Sequence, residues 1–109
     1  MKQAHAISAL SALSQNLRLE VFRLLVRQGR EGLPAGEIAR EVGVPNSSLS
    51  FHLAQLQDAG LVDQRREGRS LIYSADYVQM DALIGFLTEN CCEGQDCEAS
   101  PTQLAEECD

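Results

Sequence analysis

The chain has 109 residues, nine Lys/Arg against sixteen Asp/Glu, and a formal net charge of −7. That length suits one domain with a modest core, for which dimerisation is a common remedy. No apolar run approaches the ~18 residues of a membrane span, and the start, Met1-Lys2-Gln3-Ala4-His5, leads into nothing that reads as a secretory signal, so a soluble protein in the reducing cytoplasm is expected.

The charge is unevenly placed. Residues 1–75 carry all nine basic side chains against seven acidic ones, a net of +2, whereas residues 91–109 carry six acidic side chains and no basic one. A negative total therefore does not exclude nucleic acid as a partner of the first 75 residues.

In chain order, residues 4–14 place Ile7, Leu10 and Leu13 at i, i+3 and i+6, and Ala6 and Ala9 widen the stripe. This predicts a short amphipathic helix whose small residues permit close approach. Asn16 is the expected N-cap of a second helix reaching about Gln28, with Leu17, Val21, Leu24 and Leu25 inward and Gly29 as its stop. Arg18, Arg23 and Arg27 fall mostly on its polar side. Residues 29–34 read as a loop. A third helix, Ala35 to Val42, turns Ile38, Ala39 and Val42 inward and ends at Gly43. Pro45 biases Val44 away from helix, and Asn46 or Ser47 can cap a fourth helix over about 47–59. Its inward face is Leu49, Leu53 and Leu56.

Two short helices around a Gly/Pro turn are the signature of a helix-turn-helix. Residues 61–66 and 70–74 then read as strands around Glu67-Gly68-Arg69, a hairpin with arginines near its tip. Together they predict a winged helix. Asp76 caps a fifth helix to about Glu89, with Met80, Leu83, Ile84 and Leu87 on one stripe. The expected fold class is mainly α with a small β-hairpin, in the order four helices, two strands, one helix, over residues 1–90. Residues 91–109 form a separate acidic, cysteine-containing tail, expected to be loosely ordered apart from the cysteines.

At about 100° per residue, the face of the fourth helix opposite its leucines carries Ser47, Phe51, Ala54 and Asp58, flanked by Ser48, Ser50 and Gln55. With Asn46, the N-terminal half of that face offers hydroxyls, amides and one aromatic ring. These are groups for phosphate and base-edge contacts, and Phe51 suits a thymine methyl. His52 lies beside the core face, as a half-buried structural or phosphate-contacting residue. Arg65, Arg66 and Arg69 supply phosphate or minor-groove contacts from the hairpin. The bland alternatives are a serine-rich helix start that only caps and a solvated charged hairpin.

The run Asn16 to Ala75 resembles the ArsR/SmtB family of metal-responsive winged-helix repressors. The matching stretches are Asn16-Leu17-Arg18-Leu19-Glu20, Glu37-Ile38-Ala39, Ser48 to Leu56, Ala59-Gly60-Leu61-Val62 and Arg66 to Tyr73. The resemblance implies a homodimer joined through its first and last helices. It also implies a repressor that leaves a near-palindromic operator when its effector binds. Two of the family's effector sites are missing here. Where some members place a Cys-Val-Cys at the third helix, this chain has Pro34 and Gly36. The last helix has Asp76, Asp81 and Glu89 but no His for the family's zinc site.

What remains is Cys91, Cys92 and Cys97, three of the four cysteines within seven residues after the last helix. In a reducing compartment clustered thiols indicate metal or redox chemistry rather than a disulfide framework. Thiolates favour soft, thiophilic centres. Trivalent arsenic or antimony needs only three sulfurs, and Gly94 lets Cys97 fold back toward the adjacent pair. This arrangement looks like the arsenic repressors with a cysteine cluster after the last helix. The effector expected is As(III) or Sb(III) on Cys91, Cys92 and Cys97, with no organic cofactor. A four-sulfur zinc site recruiting Cys108, another thiophilic metal (Pb, Cd or Zn) and an oxidation switch stand as alternatives. A thiol enzyme is disfavoured because no basic residue near the cysteines in sequence lowers a thiol pKa. A winged-helix module that binds only protein is the other competing class.

Overall fold

A computed structural model of the chain describes residues 1–90. The tail 91–109, with the expected ligands Cys91, Cys92 and Cys97 and the alternative ligand Cys108, lies outside the described residues. The elements are α1 (Gln3–Leu13), α2 (Asn16–Gln28), β1 (Leu33–Pro34), α3 (Ala35–Val42), α4 (Asn46–Asp58), β2 (Val62–Glu67), β3 (Ser70–Ala75) and α5 (Tyr77–Thr88). This is the winged helix-turn-helix expected from the sequence, with one strand added. Among the described residues no helix is long and apolar enough to cross a membrane.

The added strand replaces part of the loop read at 29–34. Leu33 and Pro34 pair antiparallel with Tyr73 and Ile72, giving a three-stranded sheet in the order β1-β3-β2. Pro34 is tolerated because β1 is an edge strand, where a missing N–H costs no ladder bond. Gly32 delivers the chain to this edge at φ +70, and a Cβ there would overlap the Tyr73 carbonyl oxygen. Only glycine meets both demands.

Two expected caps are corrected. The cap of α2 is Gln15, one residue earlier than Asn16; its side chain accepts from the Arg18 N–H at 2.9 Å. The chain enters α4 through extended Pro45 (φ −65, ψ 151), and no side chain caps that end. Asp76 caps α5 as expected, accepting from the Gln79 N–H. Gly43, at φ +73, closes α3 in the left-handed conformation and donates its N–H to the Ala39 carbonyl.

The core gathers Val21, Leu25, Ile38, Leu49, Leu53, Leu56 and Leu61, all essentially without solvent contact. The leucine face of α4 is therefore its anchor. On α2, Phe22 joins the buried set, while Leu17 and Leu24 are only half-buried. The terminal helices depart further from their expected stripes. On α1 the buried residues are Ala6, Ala9 and Ala12, while Ile7 and Leu10 are exposed. On α5 only Leu83 is buried, and Ile84 (52% exposed), Leu87 (58%) and Val78 (74%) face outward. α1 buries a ridge of methyls against its own chain, and larger side chains on that ridge would hold it away.

Candidate nucleic-acid interface

The α3–α4 turn and the β2–β3 hairpin bring the predicted DNA residues onto two exposed features of one protomer. On α4, Asn46, Ser47, Ser48, Ser50, Phe51 and Gln55 are all exposed. Because Leu49, Leu53 and Leu56 are sunk in the core, α4 cannot roll, and its polar face is held outward. The side chains of Asn46, Ser47 and Ser48 form no hydrogen bond among the described residues, whereas the Ser50 hydroxyl donates to the Asn46 backbone carbonyl at 3.0 Å. The capping alternative for this serine-rich start thus finds no cap bond in the fold.

Phe51 is 58% exposed at the centre of that face. Its ring meets the His52 ring edge-on, with centroids 5.6 Å apart and planes at 72°, an attractive geometry for two aromatic rings. His52 is half-buried, and its Nδ1 lies 3.3 Å from the Arg18 guanidinium. The same guanidinium donates through Nε to the Ala12 carbonyl at 2.7 Å. Ala12 lies in the last turn of α1, where carbonyls lack helical partners. Arg18 therefore joins the end of α1 to the exposed helix α4. The sequence placed Arg18 on a polar helix side; its partners are 6 and 34 residues away and follow only from the fold.

In the hairpin, Arg66 and Arg69 are exposed and form no hydrogen bond or ion pair among the described residues. Arg65 is placed differently. Its guanidinium donates to the Glu67 carboxylate at 3.0 Å and to the backbone carbonyls of Arg30 and Glu31 at 3.3 and 2.6 Å. On the hairpin's other face, Gln64 donates to the Tyr73 hydroxyl at 2.7 Å. Gly68, at φ +63, makes the tight turn at the tip. Among the described residues no three His, Cys, Asp or Glu side chains converge as metal ligands.

A face of hydroxyls, amides and one aromatic ring on an outward helix, beside a hairpin with two exposed guanidiniums, has the donors for phosphate and base-edge contacts. Comparison with known proteins points the same way. A family profile described as "Helix-turn-helix domain" matches residues 13–65. The HTH-type transcriptional regulator YgaV of Escherichia coli (strain K12) is 34% identical over 87 residues, 80% of this chain and 86% of that protein. The solved structure of an ArsR-like transcriptional regulator from Rhodococcus sp. RHA1 superposes with a TM-score of 0.72 at 29% identity, covering 83% of this chain and 82% of that one. The solution structure of the homodimeric winged helix-turn-helix DNA-binding domain Mb0332 from Mycobacterium bovis, a possible ArsR-family regulator, gives a TM-score of 0.63 at 26% identity, covering 87% and 88%. The sequence match, the fold and the exposed α4 face agree: this chain belongs to the ArsR/SmtB family of winged helix-turn-helix transcriptional regulators.

Proposed function

We propose that this chain is an arsenic(III)-responsive repressor. Its dimer binds a near-palindromic operator and releases it when As(III) or Sb(III) binds Cys91, Cys92 and Cys97. The exposed α4 face, with Asn46, Ser47, Ser48, Ser50, Phe51 and Gln55 turned out by a buried leucine stripe, carries the DNA half of this reading. Those side chains and half-buried His52 meet the major groove, and wing arginines meet phosphate or the minor groove. Homodimerisation is supported by the outward Ile7, Leu10, Ile84 and Leu87 on the two terminal helices, and by the homodimeric relative Mb0332. A dimer must set its two α4 helices one helical turn of DNA apart, about 34–36 Å.

The effector half rests on the donor set. Three thiols within seven residues, without His, suit a soft trivalent metalloid. The cysteines follow directly on α5, one of the two helices with an outward apolar face. Ordering them at its end shifts the pose of one protomer against the other and takes the α4 helices off successive grooves. By linkage, operator DNA weakens metalloid binding by the same factor as the metalloid weakens operator binding.

The test is titration of reduced protein with arsenite, counting metalloid per chain while operator release is followed by fluorescence anisotropy. One As(III) per chain with full release is expected, and loss of both in Cys91→Ser, Cys92→Ser or Cys97→Ser. Release that persists in the triple serine variant sinks the assignment. Release by Cd(II), Pb(II), Zn(II) or peroxide but not by arsenite selects the alternative effector through the same cysteines.

A further inference from the structure

Arg65 sits in β2 opposite Ile72 of β3, and Ile72 in turn sits opposite Pro34 of β1. Directly opposed residues share a face of the sheet. The Arg65 side chain therefore leaves the sheet on the face of Ile72 and Pro34 and reaches across β3 to the far edge. There it meets the segment leading into β1: Nη1 donates to the Arg30 carbonyl at 3.3 Å and Nη2 to the Glu31 carbonyl at 2.6 Å. Nε donates to Glu67 at 3.0 Å, so all three guanidinium nitrogens are occupied. A flat, rigid fork of donors is what lets one side chain hold three acceptors together.

The gripped segment is itself firmly seated. Gly32 donates its N–H to the Gly29 carbonyl at 3.2 Å and lies flush against the Tyr73 backbone. Two residues later β1 runs into α3, the first helix of the helix-turn-helix. Arg65 thus bolts the outer strand of the wing to the root of the helix-turn-helix. Arg66, on the opposite face by strand alternation, and Arg69, at the tip, have no side-chain partner among the described residues.

We infer that Arg65 is a positioning residue. It fixes the wing relative to α3 and α4 so that Arg66 and Arg69 reach DNA, and it does not itself contact phosphate. This rests on the reading of Arg66 and Arg69 as DNA contacts, and it revises the part assigned to Arg65 from the sequence.

The test is a double-mutant cycle on operator affinity with the full chain, using Arg65→Ala, the pair Arg66→Ala/Arg69→Ala, and all three together. Thermal melting and active-fraction titration establish that each variant is folded. Arg65→Ala is expected to raise the operator Kd by roughly 3- to 30-fold alone, and by less than about 2-fold once Arg66 and Arg69 are gone. Arg65→Lys provides a second readout. Lysine keeps the charge but cannot bridge three acceptors, so it is expected to bind as weakly as Arg65→Ala. Two outcomes overturn the inference: Arg65→Lys binding like wild type, or Arg65→Ala costing the same factor in both backgrounds. If Arg66→Ala/Arg69→Ala leaves the Kd unchanged, the reading of the wing as a DNA contact fails, and the inference fails with it. A real loss in that pair with additive Arg65→Ala overturns the inference alone.

Discussion

Arg18 shows how much one side chain can carry. Its guanidinium satisfies the Ala12 carbonyl in the last turn of α1, where a cation also favours the negative end of the helix dipole. It also touches His52, whose ring supports Phe51 on the face read as the DNA-reading one. Arg18→Ala leaves an orphan carbonyl at the end of α1 and removes the link to α4. It is expected to weaken operator binding by roughly 1–2 kcal/mol, with Arg18→Lys restoring only part. Anisotropy titrations measure the affinity, and circular dichroism checks the fold. Unchanged affinity in Arg18→Ala would remove Arg18 from the reading head. The sequence shows Arg18 only as a charged residue on α2, because carbonyl and imidazole partners arise where three helices converge.

At the scale of elements, every predicted helix and strand exists, with boundaries within about two residues. Local signals explain this agreement: apolar residues at helical spacing in α2 and α4, Gly43 and Pro45 between the two helices, and Gly68 at the hairpin tip. The terminal helices are where local reasoning did not resolve which part of an apolar stripe packs on its own chain. On α1 Ile7, Leu10 and Leu13 were expected on one stripe with Ala6 and Ala9, yet the alanines are buried and Ile7 and Leu10 look out. A period identifies a helix but does not say whether its apolar side meets its own chain or another. The dimer reading makes a direct prediction for the outward side. Ile84→Asp with Leu87→Asp is expected to shift the protein from dimer to monomer in analytical ultracentrifugation. Helical content by circular dichroism is expected to be preserved, because both side chains are already exposed within the chain. Operator affinity should fall by at least about tenfold, since one reading head loses the added gain of a linked second one. A variant that stays dimeric would place the interface elsewhere.

For the whole molecule, charge distribution is more informative than net charge. A chain at −7 reads as a poor partner for DNA until its basic residues are located, all within the first 75. Phosphate contacts release counterions, so log affinity for the operator should fall linearly with log salt. Removing Arg66 and Arg69 is expected to lessen that slope by roughly 2 per protomer, about one for each phosphate contact. A slope unaltered by both substitutions would show that the wing stays off the backbone.

From the sequence alone came the class of fold, the order of elements, the leucine anchor of α4 and the outward polar face it implies, and the cysteine cluster beyond α5. Each depends on residues close together along the chain, where helical period, turn chemistry and ligand spacing act. The tertiary structure alone decided that residues 33–34 are a strand, that Gly32 must be glycine, that α1 buries its alanines, that Arg18 reaches His52, and that Arg65 is spent on the carbonyls of Arg30 and Glu31. Those outcomes depend on which distant backbone groups a side chain finds within reach. A guanidinium on a strand reads the same in sequence whether it faces a phosphate or a carbonyl of its own chain.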